Sequence, residues 1–205
     1  SSVRATMPPA DLGPPATLAE VFANASLPPE PVRGPFGVCY VAFAGDHERR
    51  YRGERLLEIA ARQARAAAAA RGATLQQCVL TDQPERLRPY VDLIVPLRTH
   101  LDAAPYTALC AEYSRRFGRG CRLLFGYMAK AIAVLRAPYE LTAFLDTDTF
   151  VCDAAPLLAL PRLMAQGRYD LLLLLPRTGQ GWVNSGVLVS RREGVRRAGW
   201  AEAWL

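Results

Sequence analysis

The chain has 205 residues, 51% of them hydrophobic, which is enough to bury a substantial core, and its length favours one domain with room for an appendage. Its 25 Lys and Arg against 19 Asp and Glu give a formal charge of +6, a bias toward anionic partners such as nucleotides, phosphosugars or an acidic surface. Arginine is scattered along the helical patterns rather than gathered with aromatics, which argues against nucleic acid, and no apolar run approaches the roughly eighteen residues of a membrane span.

Residues 1–35 carry Pro8, Pro9, Pro14, Pro15, Pro28, Pro29, Pro31 and Pro35 and few large apolar residues, the composition of an extended stem or linker. Within it, Asn24-Ala25-Ser26 is an N-glycosylation sequon, meaningful only in the secretory pathway. The folded domain is expected over 36–205. Phe36 to Ala44 is an apolar, aromatic-rich run between turn signals, as a buried strand should be. Glu54 to Arg71 predicts a helix with Leu56, Leu57, Ala60, Ala64 and Ala67 along one side and a stop at Gly72. Leu75 to Leu80 and Leu93 to Val95 are further strands. Cys121 to Arg136 has helical spacing and ends before Pro138; Leu141 to Leu145 is a strand leading into Asp146-Thr147-Asp148. Pro156 to Gly167 predicts a helix kinked or broken near Pro161, Leu171 to Leu175 and Val187 to Ser190 complete the strands, and Gly194 to Leu205 predicts a last helix. Continuous apolar strands alternating with helices imply an α/β fold, Rossmann-like, with a mostly parallel sheet covered on both faces.

Five cysteines, Cys39, Cys78, Cys110, Cys121 and Cys152, show no CxxC or Cys/His zinc spacing. Cys39 and Cys78 fall in predicted strands and read as buried free thiols, whereas an oxidising compartment offers the pair Cys110 and Cys121.

In an open α/β sheet, ligands bind beyond the carboxyl ends of the strands, where Asp146 and Asp148 are placed. Two carboxylates one residue apart, with Thr147 between, can turn toward one hard divalent cation, Mn²⁺ or Mg²⁺, that also holds a diphosphate. Asp-Thr-Asp is also an ordinary solvated turn, and the preceding apolar strand is what favours function. The same letters begin phosphatases of the haloacid dehalogenase type, whose first Asp is a nucleophile; here strands precede the motif, and the later carboxylates Asp170, Glu193 and Glu202 are scattered.

Lys130, the strand Leu141 to Leu145, Asp146-Thr147-Asp148 and Asn184-Ser185-Gly186-Val187, in that order, resemble nucleotide-diphospho-sugar transferases of the GT-A fold, the glycogenin-like and related families in particular. The likeness covers roughly Phe36 to the end. It implies that Asp146 contacts metal and ribose, that Asp148 is the stronger metal ligand, and that Asn184 reaches the donor sugar or its diphosphate. Other candidates have equally plain structural readings. Lys130 can reach phosphate or be a solvated helix residue. Ala42, Phe43 and Tyr51 lie near the end of the first strand, where this fold places the nucleobase and where Tyr51 can stack, or where Phe43 simply packs. Asp82 can accept from base or ribose, or end a turn. Gly186 permits close backbone approach, or eases strand entry. His47 and His100 read as lone surface residues.

The expected activity is transfer of a sugar from a nucleoside diphosphate donor, a UDP-sugar, to a hydroxyl on a glycan, protein or lipid, with retention because the resembling families mostly retain. The competing reading is a catalytically inactive, transferase-like binding domain. A Pro-rich stem and a sequon suit the Golgi lumen, with type II anchoring through a segment outside this chain, against a bacterial cytoplasm that needs neither. The resembling families also carry a late third metal ligand, often His, well downstream of the Asn-Ser-Gly block, so the site is expected to be incomplete at Leu205.

Overall fold

The computed structural model describes residues 31–42, 53–81, 84–96, 111–112, 114–115, 130, 133–174 and 184–197. Its strands β1 (Gly34–Ala42), β2 (Gln77–Thr81), β3 (Leu93–Pro96), β4 (Tyr139–Leu145), β5 (Leu171–Leu174) and β6 (Asn184–Arg191) form one six-stranded sheet in the order β3-β2-β1-β4-β6-β5. β1 pairs in parallel with β2 and β4, and β2 with β3; β6 runs antiparallel to both β4 and β5. Every strand but β6 therefore points the same way, as continuous apolar runs require when helices supply the crossovers.

The helices are α1 (Gly53–Ala69), α2 (Pro84–Leu87), which runs into a 3₁₀ turn at Arg88–Tyr90, α3 (Ala155–Gly167) and α4 (Arg192–Arg197). α1 buries Leu57, Ala60, Ala61, Ala64 and Ala68, the three- and four-residue spacing of one helix stripe, and keeps the Glu58–Arg62 pair, 3.2 Å apart, on its outer side. It ends where glycine allows a left-handed residue. Gly72 has φ +67°, and Ala73 N–H donates to Ala68 O while Gly72 N–H donates to Ala69 O, the paired bonds of a Schellman cap. The alanine stripe lets the helix lie close on Val38 and Tyr40 of β1 and Val79 of β2, in a core that continues through Ala143, Leu145 and Val189 to Leu157 and Met164 of α3. Full burial of a side chain such as Leu57 contributes about 1.5–3 kcal/mol.

The opposite face of the sheet is covered too. Val41, Phe144 and Leu188 line a small cavity together with Val134 and Lys130, which places the helical residues 133–136 over that side. No helix among the described residues is long and apolar enough to cross a membrane.

Several details differ from expectation. β1 and β4 each begin two residues early, because Gly34 pairs with Tyr139; Pro35 is tolerated there, since β2 joins β1 only from Val38. β2 starts at Gln77 rather than Leu75, and α1 stops at Ala69, the turn taking Ala70 and Arg71. α3 is continuous through Pro161, so of the kink or break expected there the break does not occur. The ring removes one helical bond, and Leu157 and Met164, buried on either side of it at a spacing of seven, fasten both halves to the sheet. α4 starts at Arg192 rather than Gly194, and β6 already includes Asn184. Most consequential, Cys39 and Cys78 are not free thiols: they stand opposite one another in the β1–β2 register, with Cα atoms 4.5 Å apart, and form a disulfide. Cys110, Cys121, most of the 121–136 helix, residues 1–30 of the expected stem with its sequon, Ala44, Leu175, His47, His100 and the expected helix beyond Arg197 lie outside the described residues.

Candidate functional site

Strand order determines where a ligand can enter. From β1 the chain proceeds to β2 and β3 on one side, then crosses to β4 on the other, so the connections leave β1 and β4 in opposite directions and open a crevice beyond their carboxyl ends. Ala42 ends β1 and Asp146 follows Leu145 of β4, so both flank that crevice. Because β6 is antiparallel to β4, its first residues lie at the same end of the sheet: Val187 pairs with Leu145, and Asp146 N–H donates to Gly186 O at 2.9 Å.

Asp146 through Thr149 form a turn closed by Thr149 N–H donating to Asp146 O at 2.9 Å. Lys130, from the helix on the far face, places Nζ 2.5 Å from Asp146 Oδ1, with Lys130 26% and Asp146 35% exposed. Asp148 is exposed and Thr147 half-buried. The far end of the loop is anchored by Asp153, whose carboxylate accepts from Ala155 N–H and from Arg71 Nη2, both at 2.9 Å. The Ala155 N–H, and after it the Arg71 guanidinium, hold the Asp153 carboxyl below its ordinary value against the opposing effect of desolvation. The loop thus runs from an ion pair at one end to an ion-paired helix start at the other. That anchoring, and the Gly186 carbonyl, were not anticipated; the Asp153-Ala154-Ala155-Pro156 run ahead of an apolar helix was the available signal for it.

The structure brings Ala42, Lys130, Asp146, Thr147, Asp148 and Gly186 to one end of the sheet. Asn184 and Ser185 are there as β6 backbone, while Phe43, Tyr51 and Asp82 lie outside the described residues. Asp146 and Asp148 offer hard carboxylate oxygens from a single turn, a donor set that fits Mg²⁺ or Mn²⁺. Among the described residues no group of three or more His, Cys, Asp and Glu gathers to hold a metal.

A cleft of about 740 Å³ lies at the other, amino end of the strands, bordered by Arg33, Arg65, Asp92 and Tyr139. Two of its charged groups are engaged with one another and with the backbone. Arg65 donates to Asp92 Oδ1 at 2.8 Å and to Tyr90 O at 3.1 Å, and Asp92 Oδ2 accepts from Gln77 N–H at 2.8 Å. Burial, and secondarily the Asp92 charge, push the Tyr139 phenol up to about 12.

The fold is similar to that of solved glycosyltransferases. Among them are GlyE of Streptococcus pneumoniae TIGR4 (14% identity, TM-score 0.49, 85% of this chain and 38% of that one) and mouse xyloside xylosyltransferase 1 (10% identity, TM-score 0.48, 82% and 71%). S. aureus TarS 1-349 is a third (13% identity, TM-score 0.42, 80% and 49%). The chain spans less than half the length of GlyE and of TarS 1-349. No family model matches it, and no curated protein matches it.

Proposed function

We propose that this chain is the nucleotide-binding part of a glycosyltransferase that moves a sugar from a nucleoside diphosphate donor, a UDP-sugar, to a hydroxyl acceptor on a glycan, protein or lipid. The observation that carries this reading is the Lys130–Asp146 ion pair beyond β4, with Asp148 exposed on the same turn, beside the point between β1 and β4 where the strand order reverses. Asp146 and Asp148 would hold Mn²⁺ or Mg²⁺, which supplies charge neutralisation to the departing nucleoside diphosphate. Lys130 adds a point charge for phosphate. The Ala42 end of β1 borders the base and ribose, and the start of β6 the donor sugar. Retention at the anomeric carbon is kept as part of the proposal. So is an oxidising, Golgi-type lumen, supported by the buried Cys39–Cys78 disulfide and the sequon at Asn24. No feature of the described residues favours a phosphatase with Asp146 as nucleophile.

The test is calorimetric titration with UDP, with and without Mn²⁺, on the chain and on Asp148→Asn. Mn²⁺ should tighten UDP binding by about tenfold or more in the parent and not in the variant, whose unfolding free energy should change by no more than about 0.5 kcal/mol, as for an exposed side chain. Undetectable UDP binding, or binding indifferent to Mn²⁺, would overturn the proposal. Hydrolysis of a UDP-sugar by a longer chain, and its absence, separate an enzyme from an inactive binding domain.

A further inference from the structure

We propose that Lys130 competes with the cation for Asp146, so that the donor nucleotide, by drawing the Lys130 ammonium onto its diphosphate, makes room for the cation. This rests on the nucleotide-binding reading above and concerns how that site is regulated.

The geometry supplies the conflict. Lys130 Nζ lies 2.5 Å from Asp146 Oδ1, a direct charge-assisted contact. A divalent cation sits about 2.0–2.1 Å from a ligating oxygen, so cation and ammonium on the same carboxylate would be close, strongly repelling neighbours. Only partial burial surrounds them, with Lys130 26% exposed, and its four-carbon stem can swing without moving the helix. A diphosphate offers the ammonium a more highly charged partner than one carboxylate. With the ammonium there, both Asp146 oxygens would be available to hold a cation. Nucleotide and cation then favour each other's binding, and the coupling is reciprocal. Asp148, on the same turn and exposed, would be the carboxylate a cation meets first.

The test measures free Mn²⁺ by electron paramagnetic resonance, with and without UDP, on the 205-residue chain and on Lys130→Met, Lys130→Gln and Lys130→Arg. Without UDP, the Met and Gln variants should bind Mn²⁺ about tenfold tighter than the parent, the scale of one removed like charge near the protein surface. Lys130→Arg should stay as weak as the parent. The enhancement of Mn²⁺ binding by UDP should shrink in the two neutral variants. Circular dichroism identifies which variants are folded, and the Gln variant, which keeps a polar side chain, serves if Met perturbs the helix. Equal or weaker Mn²⁺ affinity in a folded neutral variant, with the parent still binding Mn²⁺ and UDP together, overturns the competition and leaves the functional reading standing. Failure of the parent to bind Mn²⁺ even with UDP overturns both.

Discussion

Asp153 shows how much of the site loop depends on one carboxylate outside the site. It accepts from the first backbone N–H of α3 and pairs with Arg71 just past α1, tying the loop that carries Asp146 and Asp148 to a helix end on the core side of the sheet. Its carboxyl is held below the ordinary 3.8, so it binds a proton less readily folded than unfolded. Its contribution to stability is therefore present above about pH 3.8 and is lost as pH falls through the lower folded value. Asp153→Ala should lower the thermal midpoint at neutral pH, and the difference from the parent should close in strong acid. A carboxyl NMR titration should place the midpoint below 3.8, and a midpoint at or above it would show that the two partners do not outweigh desolvation. Asp148 contrasts with it: its charge can be removed at little cost to folding because it faces solvent.

At the scale of elements, periodicity read well where one physical signal dominated. The alanine stripe of α1 and its glycine stop were legible because helical spacing and a left-handed cap both leave residue-level marks, and the Gly72 cap is as expected. α3 ends the same way without that mark. Arg168 occupies the left-handed position at φ 53°, with Tyr169 N–H donating to Met164 O, a geometry that no glycine announces. Pro161 locally signals a kink or a break, and the break is absent because burial of Leu157 and Met164 keeps the helix continuous. The early start of β1 was hidden for a related reason: Gly34-Pro35 reads as a turn, yet Gly34 pairs with Tyr139 in the sheet, and Gly37 is buried where the Tyr139 ring occupies the space a side chain would need. A Cβ at Gly37 would fall on that ring, and Tyr139 is only 2% exposed. Gly37→Ala should therefore destabilise the fold by about 1–3 kcal/mol through overpacking, read as a shift of the urea midpoint with unchanged slope. Restoring stability with Gly37→Ala in a Tyr139→Leu background would locate the collision at the ring; no recovery would place the cost in the backbone.

Over the whole molecule, the parallel sheet and the Asp146–Asp148 turn were legible because strand ends are where an α/β fold exposes polar groups, and an apolar run followed by Asp marks such an end. Contacts between elements were not. Lys130 meets Asp146 from a helix on the other side of the chain's turn at Pro138, and Cys39 meets Cys78 only once the β1–β2 register is known. The disulfide sits in the middle of two adjacent strands of the crevice-bearing sheet, with both cysteines fully buried. It closes a loop of 39 residues that contains all of α1, so by chain entropy it should contribute on the order of 2–4 kcal/mol to stability. Removing both sulfurs in Cys39→Ala/Cys78→Ala should cost that much by denaturant unfolding, and reductant should have no further effect mediated by this pair. In the native parent, alkylation should label the exposed Cys152 and spare Cys39 and Cys78 even when mild reductant is present, because neither sulfur is accessible. The two should react once the chain is both unfolded and reduced. Labelling of Cys39 and Cys78 after unfolding without reductant would show two free thiols, and would remove the main structural support for an oxidising compartment.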